Sequence, residues 1–289
     1  MSLTTPTPAL SLPAPEASAL HLELLRRAIA DRFGFRINDS WFGQLGLRLA
    51  ARAAVTGCQG VEDYVVQLFG PDADADELQA LVETVLIGET HFLRTEPHFA
   101  ALAEKIVPAW RASRQPGQRL RIASLGCSTG EETYSIALVL QECLSREEFA
   151  EVEITGVDVN ALALAAARRG CYETFQLRDL PLAQKARWFK PENGHWFIDS
   201  TLKNSVRFLQ HNLMQPLPFA GLDVIFCRNV LIYFQPHSAA FCFKEFHAAL
   251  RPGGYLFLGH AESAFAYPQL FEPVSTRDAV IYQYKPSSL

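Results

Sequence analysis

Apolar residues recur at helical spacing through the first third of the chain. They lie three or four positions apart at 20–29 and again at 78–86, and no stretch before residue 115 alternates apolar and polar positions as a half-buried strand does. This pattern predicts an all-α N-terminal domain over residues 20–115. Residues 1–19 are rich in proline, serine, threonine and alanine, and we expect them to form a disordered tail.

From residue 116 onward, short apolar runs alternate with stretches of helical periodicity. Gln-Pro-Gly-Gln at 115–118 ends the helical pattern, so we place a domain boundary there. The alternation predicts a βαβ series with a buried parallel sheet, because parallel strands are joined by crossover helices that cover both faces. The predicted strands are 120–125, 152–157, 223–227, 255–259 and an edge strand at 280–284, and the predicted helices are 131–144, 160–169 and 238–250.

The alternation is lost between residues 171 and 212. This stretch contains proline, tryptophan and phenylalanine, and it is too long for a simple connection in a compact domain. We therefore predict a small subdomain inserted at about 171–212 within an α/β domain of residues 116–289.

The composition limits the classes of protein to which the chain can belong. Its 289 residues are 49% hydrophobic, enough for one large domain and a smaller one, and its formal net charge is −5. This charge argues against broad nucleic-acid binding, which requires a basic surface to displace counterions from phosphates. The cysteines and histidines show no metal-ligand spacing, and the N-terminus resembles neither a secretory signal nor a membrane span. We expect a cytoplasmic protein with reduced thiols, no metal, no nucleic-acid partner and no direct membrane insertion.

Charge is uneven along the predicted helical domain. Residues 21–60 contain six arginines and three acids, whereas residues 61–90 contain eight acids and neither lysine nor arginine. The first segment suits an acidic partner, but charge runs are equally typical of solvated helix faces. The sequence leaves both interpretations open.

The first candidate site is the segment 122–136, where an apolar run breaks at Gly126 and Gly130 and continues into a helical pattern. Glycine permits a tight turn and close approach of a ligand, and the first turn of a helix presents unpaired N–H groups. The spacing differs from the dinucleotide pattern, and the adjacent Glu131 and Glu132 disfavour a pyrophosphate. Their charge suits a cofactor with a cationic end, such as S-adenosylmethionine.

A second candidate is the acid at the end of the next predicted strand, Asp158. In doubly wound sheets, a carboxylate at this place binds ribose hydroxyl groups, so we predict that Asp158 binds the ribose of the cofactor. The alternative is that Asp158 caps the helix that begins near Asn160, because aspartate is a favoured N-cap.

A third candidate follows the predicted strand 223–227. Ligands of open α/β sheets bind beyond the carboxyl ends of strands, so Arg228, Asn229 and Tyr233 are expected in the cleft. Ordinary core packing with the hydroxyl group at the rim is the alternative for Tyr233. The candidates for an aromatic lining of the cleft are Phe92, Tyr233 and Phe234.

Together these segments resemble a known family, the CheR-type chemoreceptor glutamate methyltransferases, over about residues 20–285. The motifs that carry the likeness are Glu-Thr-His-Phe-Leu-Arg (89–94), Cys-Ser-Thr-Gly-Glu-Glu (127–132), His-Asn-Leu (211–213), Phe-Cys-Arg-Asn-Val-Leu-Ile-Tyr-Phe (226–234) and Arg-Pro-Gly-Gly-Tyr-Leu (251–256). The resemblance implies a Rossmann-like S-adenosylmethionine methyltransferase domain with a small antiparallel β-subdomain, preceded by a receptor-facing all-α domain. It also implies methyl transfer to glutamates of chemoreceptor cytoplasmic helices for sensory adaptation, with S-adenosylhomocysteine as the second product.

The resemblance implies roles for individual residues as well. It implies that Arg94 and Tyr233 are catalytic, with Tyr233 near the transferred methyl group. Arg94 suits the acceptor carboxylate or the cofactor carboxylate, and the alternative is a surface ion pair with Glu89 or Glu96. The implied cofactor-binding residues are Thr90, Arg94, Glu131 at the methionine end, Asp158 at the ribose, Asn212 and Leu213 at the adenine, Arg228 and Asn229.

The chain departs from the family pattern at several positions. Gly88 stands where asparagine is usual, and Leu93 stands where a second phenylalanine is usual, which predicts a wider wall beside the methyl group. Only Arg48 and Arg52 remain of the arginines that the family's second helix directs at receptors. The compact insertion favours a member that does not require a receptor C-terminal pentapeptide. Two alternatives stay open, a methyltransferase with another acceptor and a non-catalytic partner that senses S-adenosylmethionine.

Overall fold

The computed structural model describes residues 19–37, 39–71, 73–74, 76–86, 88–115 and 117–286. The predicted tail lies outside these residues except for Ala19, which begins the first helix. The chain divides into two compact units. The helical unit consists of Met1–Asp31 and Ile37–Val85, and the sheet unit consists of Arg32–Arg36 and Leu86–Leu289.

In the part of the chain that the structure describes, the first four helices are α1 (Ala19–Phe33), α2 (Asp39–Thr56), α3 (Val61–Leu68) and α4 (Glu77–Val85). In the helical unit, buried residues recur at three- and four-residue spacing, for example Leu45 and Leu49 on α2 and Leu78, Leu81 and Val82 on α4. This spacing places them on one face of each helix, where they pack together. These buried faces account for the apolar spacing from which we predict helices in this part of the chain.

A partly buried polar cluster joins three helices of the helical unit. Arg52 on α2 donates to both carboxylate oxygens of Glu77 on α4, at 2.9 and 2.5 Å. The hydroxyl group of Tyr64 on α3 donates to the same carboxylate at 2.6 Å. We expect Arg52 to face a receptor from the sequence, but its guanidinium group pairs with Glu77 within the helical unit. The side chain of Arg48 is exposed.

The sheet unit alternates strands and helices as the sequence predicts. Its helices are α5 (Glu96–Ala101), α6 (Val107–Ser113), α7 (Glu131–Cys143), α8 (Arg146–Phe149), α9 (Ala161–Arg169), α10 (Leu182–Trp188), α11 (Ser200–Asn204) and α12 (Pro236–Ala249), with a π-helical turn at Leu102–Ile106 and 3₁₀ turns at Thr174–Leu177 and Leu231–Tyr233. Its strands are β1 (Leu120–Leu125), β2 (Val152–Asp158), β3 (Cys171–Tyr172), β4 (Phe189–Glu192), β5 (His195–Ile198), β6 (Val206–Gln210), β7 (Leu222–Cys227), β8 (Leu250–Leu258), β9 (Phe271–Ser275) and β10 (Val280–Tyr284).

Seven of these strands form the central sheet, in the order β6-β2-β1-β7-β8-β10-β9. The pairs from β6 to β8 are parallel, and β10 pairs antiparallel with both β8 and β9. Every residue of β7 is buried, as expected for a central strand with helices on both faces. The mostly parallel α/β sheet confirms the predicted Rossmann-like fold class.

Two parts of the predicted sheet differ in the structure. Val206–Gln210 was included in the insertion, but it pairs with β2 as a parallel strand of the central sheet. Val280–Tyr284 was predicted at the edge, but it lies between β8 and β9. The unpredicted strand Phe271–Ser275 is the true edge, and its position accommodates Pro273 because one side of an edge strand needs no hydrogen bonds.

The insertion contains a three-stranded antiparallel sheet in the order β3-β5-β4. The sheet unit includes Arg32–Arg36 and the chain from Leu86 onward, so it extends before the predicted boundary at residue 116. The reason is that Phe99, Leu102 and Trp110, which precede β1, belong to the same buried cluster as residues of the sheet. No helix among the described residues combines the length and apolarity required to cross a bilayer.

Candidate active site

Two neighbouring cavities lie at the carboxyl ends of the parallel strands. The first has a volume of about 360 Å³ and is lined by residues that follow β1, β2, β6 and β7. The strand order changes direction between β1 and β7, and open α/β sheets bind ligands in the crevice at such a switch point. The second cavity, of about 50 Å³, shares Gly88, Gly126, Ser128 and Asn229 with the first.

The loop between β1 and α7 forms one wall of both cavities through left-handed backbone. The φ angles of Gly126, Ser128 and Gly130 are 71°, 49° and 93°. A Cβ atom on Gly126 would lie 2.3 Å from Val230, and one on Gly130 would lie 2.8 Å from Ala167. Both glycines are therefore required by conformation and by space, as the sequence pattern indicated.

Asp158 ends β2 and lines the first cavity. Its carboxylate accepts the backbone N–H of Ser128 at 2.7 Å and that of Asn160 at 2.8 Å. The N-cap of α9 is Asn160, whose side chain accepts the N–H of Ala163 at 3.0 Å. The alternative role of Asp158 as the helix cap is therefore wrong, and the residue stands where doubly wound folds bind ribose.

Asn212 and Leu213 follow β6 and line the far end of the first cavity. The amide group of Asn212 donates to the carbonyl of Arg32 at 2.7 Å, and its oxygen accepts the N–H of Met214 at 3.0 Å. These bonds fix the turn that places the buried side chain of Leu213 against the cavity.

The residues around the first cavity fit S-adenosylmethionine. Leu162, Ala163 and Leu213 form an apolar wall suited to a planar base, and Asp158 supplies an acceptor for hydroxyl groups. The described residues that line this cavity include no lysine or arginine that could pair with a phosphate group. The cavity volume also falls in the range of roughly 300–1,000 Å³ that is typical of small-molecule sites.

A buried ion pair forms the floor of the second cavity. Arg228 donates to the carboxylate of Glu132 at 3.1 Å and to the carbonyl of Arg94 at 2.5 Å. Ser124 donates to the other oxygen of Glu132 at 2.8 Å. Burial raises the pKa of Glu132 and lowers that of Arg228, and the charge of each partner opposes these shifts.

Arg94 and Thr90 line the second cavity from the segment that precedes α5. The residues on either side of Arg94, Leu93 and Thr95, have left-handed φ angles of 54° and 64°. The Arg94 guanidinium donates to the carbonyl of Glu89 at 3.3 Å, and within the described residues it makes no ion pair with the carboxylates of Glu89 or Glu96. The alternative surface ion pair is therefore wrong.

Phe92 holds the same segment in place but does not line the cleft. Its side chain is fully buried, edge to face with Tyr172 at 4.8 Å and with Phe189 at 4.9 Å between ring centroids. The N–H of Phe92 donates to the carbonyl of Gln176 at 2.9 Å. The aromatic lining of the first cavity is formed by the predicted Tyr233 and Phe234 and by Phe33 and Phe35, which the sequence analysis did not name.

Tyr233 and Asn229 come from the segment after β7, as predicted. Asn229 lines both cavities and has a left-handed φ of 59°. Tyr233 is half-buried, and its carbonyl accepts the N–H of Arg36 at 2.7 Å. Because Tyr233 lines the first cavity, ordinary core packing does not describe it.

Glu131, predicted at the methionine end of the cofactor, is enclosed by side chains of the protein. Its side chain is fully buried, accepts the hydroxyl group of Thr129 at 2.7 Å and the amide of Gln176, and lines neither of the two cavities in the described part of the chain. The next residue, Glu132, lines the second cavity instead. The reason is that the left-handed turn at Gly130 sets the direction of α7 and points its second residue at Arg228.

Gly88 and Leu93, the two single-residue departures from the family pattern, have different surroundings. Gly88 lines both cavities, and a Cβ atom there would lie 3.0 Å from the hydroxyl oxygen of Ser128. Leu93 is buried and, among the described residues, is not part of the wall of either cavity. The expected widening of the wall at Leu93 is therefore wrong.

One residue that the sequence analysis missed is Glu262, whose carboxylate binds the backbone of the segment after β7. It lies four residues beyond the end of β8, so the strand-end argument that selected Asp158 does not reach it.

Comparison with known proteins agrees with this geometry. The family described as the CheR methyltransferase, SAM binding domain, matches residues 88–280. Chemotaxis protein methyltransferase 2 of Vibrio cholerae is 34% identical over 244 residues, which are 83% of each chain. Chemotaxis protein methyltransferase 1 of Pseudomonas aeruginosa is 32% identical over 213 residues, 72% of this chain and 77% of that one.

A longer protein also matches. An uncharacterized 104.1 kDa protein of Rhodobacter capsulatus is 32% identical over 247 residues, which are 85% of this chain but 26% of that protein. The family match covers most of the sheet unit, including the glycine loop, Asp158 and the segment after β7. The chain belongs to the CheR methyltransferase family, the members of which use S-adenosylmethionine as the methyl donor.

Proposed function

We propose that this protein transfers the methyl group of S-adenosylmethionine to glutamate side chains on the cytoplasmic helices of chemoreceptors. The products would be glutamyl methyl esters and S-adenosylhomocysteine, and the protein would act in the cytoplasm. The observation that carries the proposal is the small polar cavity with Arg94 in its wall, directly beside a larger cavity that suits the cofactor.

The first cavity would hold the cofactor in a defined direction. Asp158 would accept the ribose hydroxyl groups, and the apolar wall of Leu162, Ala163 and Leu213 would contact the adenine. Asn229, which lines both cavities, would bind the methionine end. When bound, the cofactor supplies an electrophilic methyl group on a positively charged sulfur.

The acceptor requires no general base. An unperturbed glutamate has a pKa of about 4.3, so its carboxylate is already an anion at neutral pH. The task of the protein is placement, which contributes roughly 7–11 kcal/mol to lowering the barrier when two reactants are well oriented. Arg94 would hold the acceptor carboxylate, because a guanidinium group matches its two oxygens and this side chain makes only a long bond to Glu89 among the described residues.

Tyr233 would line the path of the methyl group together with Phe234. Charge is neutralised as the carboxylate oxygen bonds to the methyl carbon and the S–CH₃ bond breaks, so a wall that excludes water favours the transition state over the separated ions. The aromatic face of a tyrosine near a cation adds roughly 0.5–2 kcal/mol of attraction.

The receptor would be recognised by exposed charge on the helical unit and by the β-subdomain. Arg48 is exposed and suits an acidic receptor helix, whereas Arg52 is held by Glu77 and Tyr64. We therefore propose Arg48, and not Arg52, as a direct contact of the receptor.

The function is tested with methyl-labelled S-adenosylmethionine and receptor cytoplasmic fragments. Labelled protein treated with mild alkali should release volatile labelled methanol, as carboxyl methyl esters do. The Arg94→Lys variant keeps the charge but loses the planar fork, and we expect its kcat/KM to fall about ten- to hundredfold. Arg119→Ala is the control, because Arg119 is exposed and precedes β1 at the opposite end of the sheet.

Two results would contradict the proposal. Label that remains on the protein after alkali would identify a different acceptor. Binding of the cofactor without label transfer to any receptor fragment would instead support a non-catalytic sensor.

A further inference from the structure

The turn after β8 places a carboxylate against the turn after β7. Oε1 of Glu262 accepts the backbone N–H groups of Val230 at 2.8 Å and Leu231 at 2.7 Å, and that of Ile232 at 3.4 Å. Oε2 accepts those of Asn229 at 2.8 Å and Gly259 at 2.6 Å. One side chain therefore accepts five backbone donors, four of them from a single segment, 229–232.

These donors need an acceptor for a structural reason. Leu231–Tyr233 is a 3₁₀ turn, and the N–H groups at the start of such a turn have no acceptor within it. Asn229, just before the turn, has a left-handed backbone with a φ of 59°, a conformation that asparagine tolerates better than most residues and that its surroundings stabilise here. The carboxylate of Glu262 supplies both the missing acceptor and this stabilisation.

The approach of the two turns depends on Gly259. A Cβ atom on this residue would lie 2.7 Å from Oε2 of Glu262 and 2.8 Å from the backbone nitrogen of Asn229. Strands β7 and β8 pair in parallel up to Cys227 and Leu258, so their carboxyl ends lie side by side just before these turns. The sheet thus brings the two turns together, and a glycine lets them come close enough for hydrogen bonding.

The segment that Glu262 holds belongs to the candidate active site. Asn229 lines both cavities, and Val230, Tyr233 and Phe234 line the first. Rotation of this backbone would move the side chains of Asn229 and Tyr233 together. Glu262 also lines a third cavity, of about 540 Å³, and among the described residues it lines neither of the first two cavities.

We propose that Glu262 is a positioning residue, which fixes segment 229–232 in the conformation that presents Asn229 and Tyr233 to the cofactor. Its effect on methyl transfer rests on the proposed function, but its effect on cofactor binding does not. Glutamine at this position keeps an acceptor for one set of donors and turns an NH₂ group toward the other set. The segment would then lose part of its support while the shape of the side chain is retained.

The test compares Glu262→Gln with Asp223→Asn. Asp223 is also a buried carboxylate, at the opposite end of β7, where it accepts the N–H of Arg121 at 2.7 Å and a bond from Arg251. The affinity of each full-length variant for S-adenosylhomocysteine is measured by calorimetry, and its Tm by thermal denaturation. We expect Glu262→Gln to raise Kd about ten- to hundredfold, because segment 229–232 would lose hydrogen bonds to a charged group. Asp223→Asn should lower Tm and leave Kd within about twofold of the unsubstituted protein.

Gly259→Ala gives a second, independent variant, because it separates the two turns without removing the carboxylate. It should raise Kd as Glu262→Gln does, and amide hydrogen exchange should quicken at 229–232 in both variants. An unchanged Kd in Glu262→Gln would overturn the proposal, and so would an equal rise in Asp223→Asn at the same loss of Tm. Because no acceptor is present, a failure of receptor methylation would not affect this measurement.

Discussion

At the scale of single residues, the two adjacent glutamates that begin α7 show how far a motif can be interpreted. Glu131 bonds to the neutral side chains of Thr129 and Gln176, whereas Glu132 bonds to the cation of Arg228. Burial raises the pKa of both carboxyl groups, and their hydrogen-bond partners oppose the shift. The sequence shows two acids in a row, and only the left-handed turn before them decides which one faces the cleft.

Replacement of each acid by glutamine should therefore have unequal effects. Glu131→Gln keeps its hydrogen bonds and removes a buried charge, so we expect the free energy of unfolding to change by less than about 1 kcal/mol. Glu132→Gln leaves the Arg228 guanidinium buried without a counter-charge, and we expect a loss of about 3–5 kcal/mol. Urea denaturation of both variants measures these values.

Cofactor affinity provides the second measurement for this pair. Glu131→Gln should bind S-adenosylhomocysteine as the unsubstituted protein does, and Glu132→Gln should bind it more weakly. The reverse order would restore Glu131 to the methionine end of the cofactor, where the family resemblance had placed it.

At the scale of helices and strands, the polar cluster of the helical unit ties α2, α3 and α4 together. Burial raises the pKa of Glu77, but the hydrogen bonds from Arg52 and Tyr64 outweigh it, so the pKa is lowered overall. The folded state therefore holds the Glu77 proton less tightly than the unfolded state does. The stabilisation is complete above the unfolded pKa of about 4.3, and it is lost as the pH falls through the lower folded pKa.

We expect Arg52→Ala to destabilise the protein by about 1–3 kcal/mol at neutral pH, since the bond is charge-assisted and partly buried. The effect should shrink once the pH falls below the folded pKa of Glu77. A double-mutant cycle with Glu77→Gln, followed by urea denaturation at several pH values, measures the coupling. Arg48→Ala is the matched control, because this exposed arginine of the same helix should change stability by less than about 0.5 kcal/mol. A coupling that does not depend on pH would contradict this account.

Most strands and helices of the sheet unit could be predicted from the sequence. The strands at 120–125 and 223–227 are central strands that are buried almost throughout, which accounts for their mostly apolar sequences. The strand at 152–157 is only partly buried, and its short apolar pattern is bounded by turns. β6 and β9 could not be predicted in the same way. β6 is an edge strand with exposed residues, and β9 contains a proline, so neither carries the signal of a buried strand.

At the scale of the whole molecule, the fold class predicts where the site lies but not which side chains complete it. The family and the methyltransferase class were predicted correctly from motifs, and the family match confirms them. The arrangement of the second cavity needed long-range contacts, because Arg94 is positioned through Phe92, which packs between Tyr172 and Phe189 of the insertion. A local sequence pattern cannot predict such a contact, because the two segments are far apart in the sequence.

The insertion itself bears on how receptors are recognised. A peptide can add to a sheet only along an exposed edge whose N–H and C=O groups are unpaired. In the three-stranded sheet, one edge strand is β3, which has two residues, and the other is β4, Phe189–Glu192. Pro191 in β4 has no N–H group, so this edge offers an incomplete set of donors.

We therefore predict that methylation does not depend on a C-terminal receptor pentapeptide. Receptor fragments with and without this pentapeptide should be esterified with kcat/KM values that agree within about twofold, because the short edges give a peptide few backbone bonds and each contributes only about 1 kcal/mol. The measurement is alkali-labile methyl release over a series of fragment concentrations. A fragment with a scrambled pentapeptide controls for chain length and charge. A tenfold advantage for the intact pentapeptide over the scrambled one would show that side-chain pockets on the insertion provide the affinity that its strand edges lack.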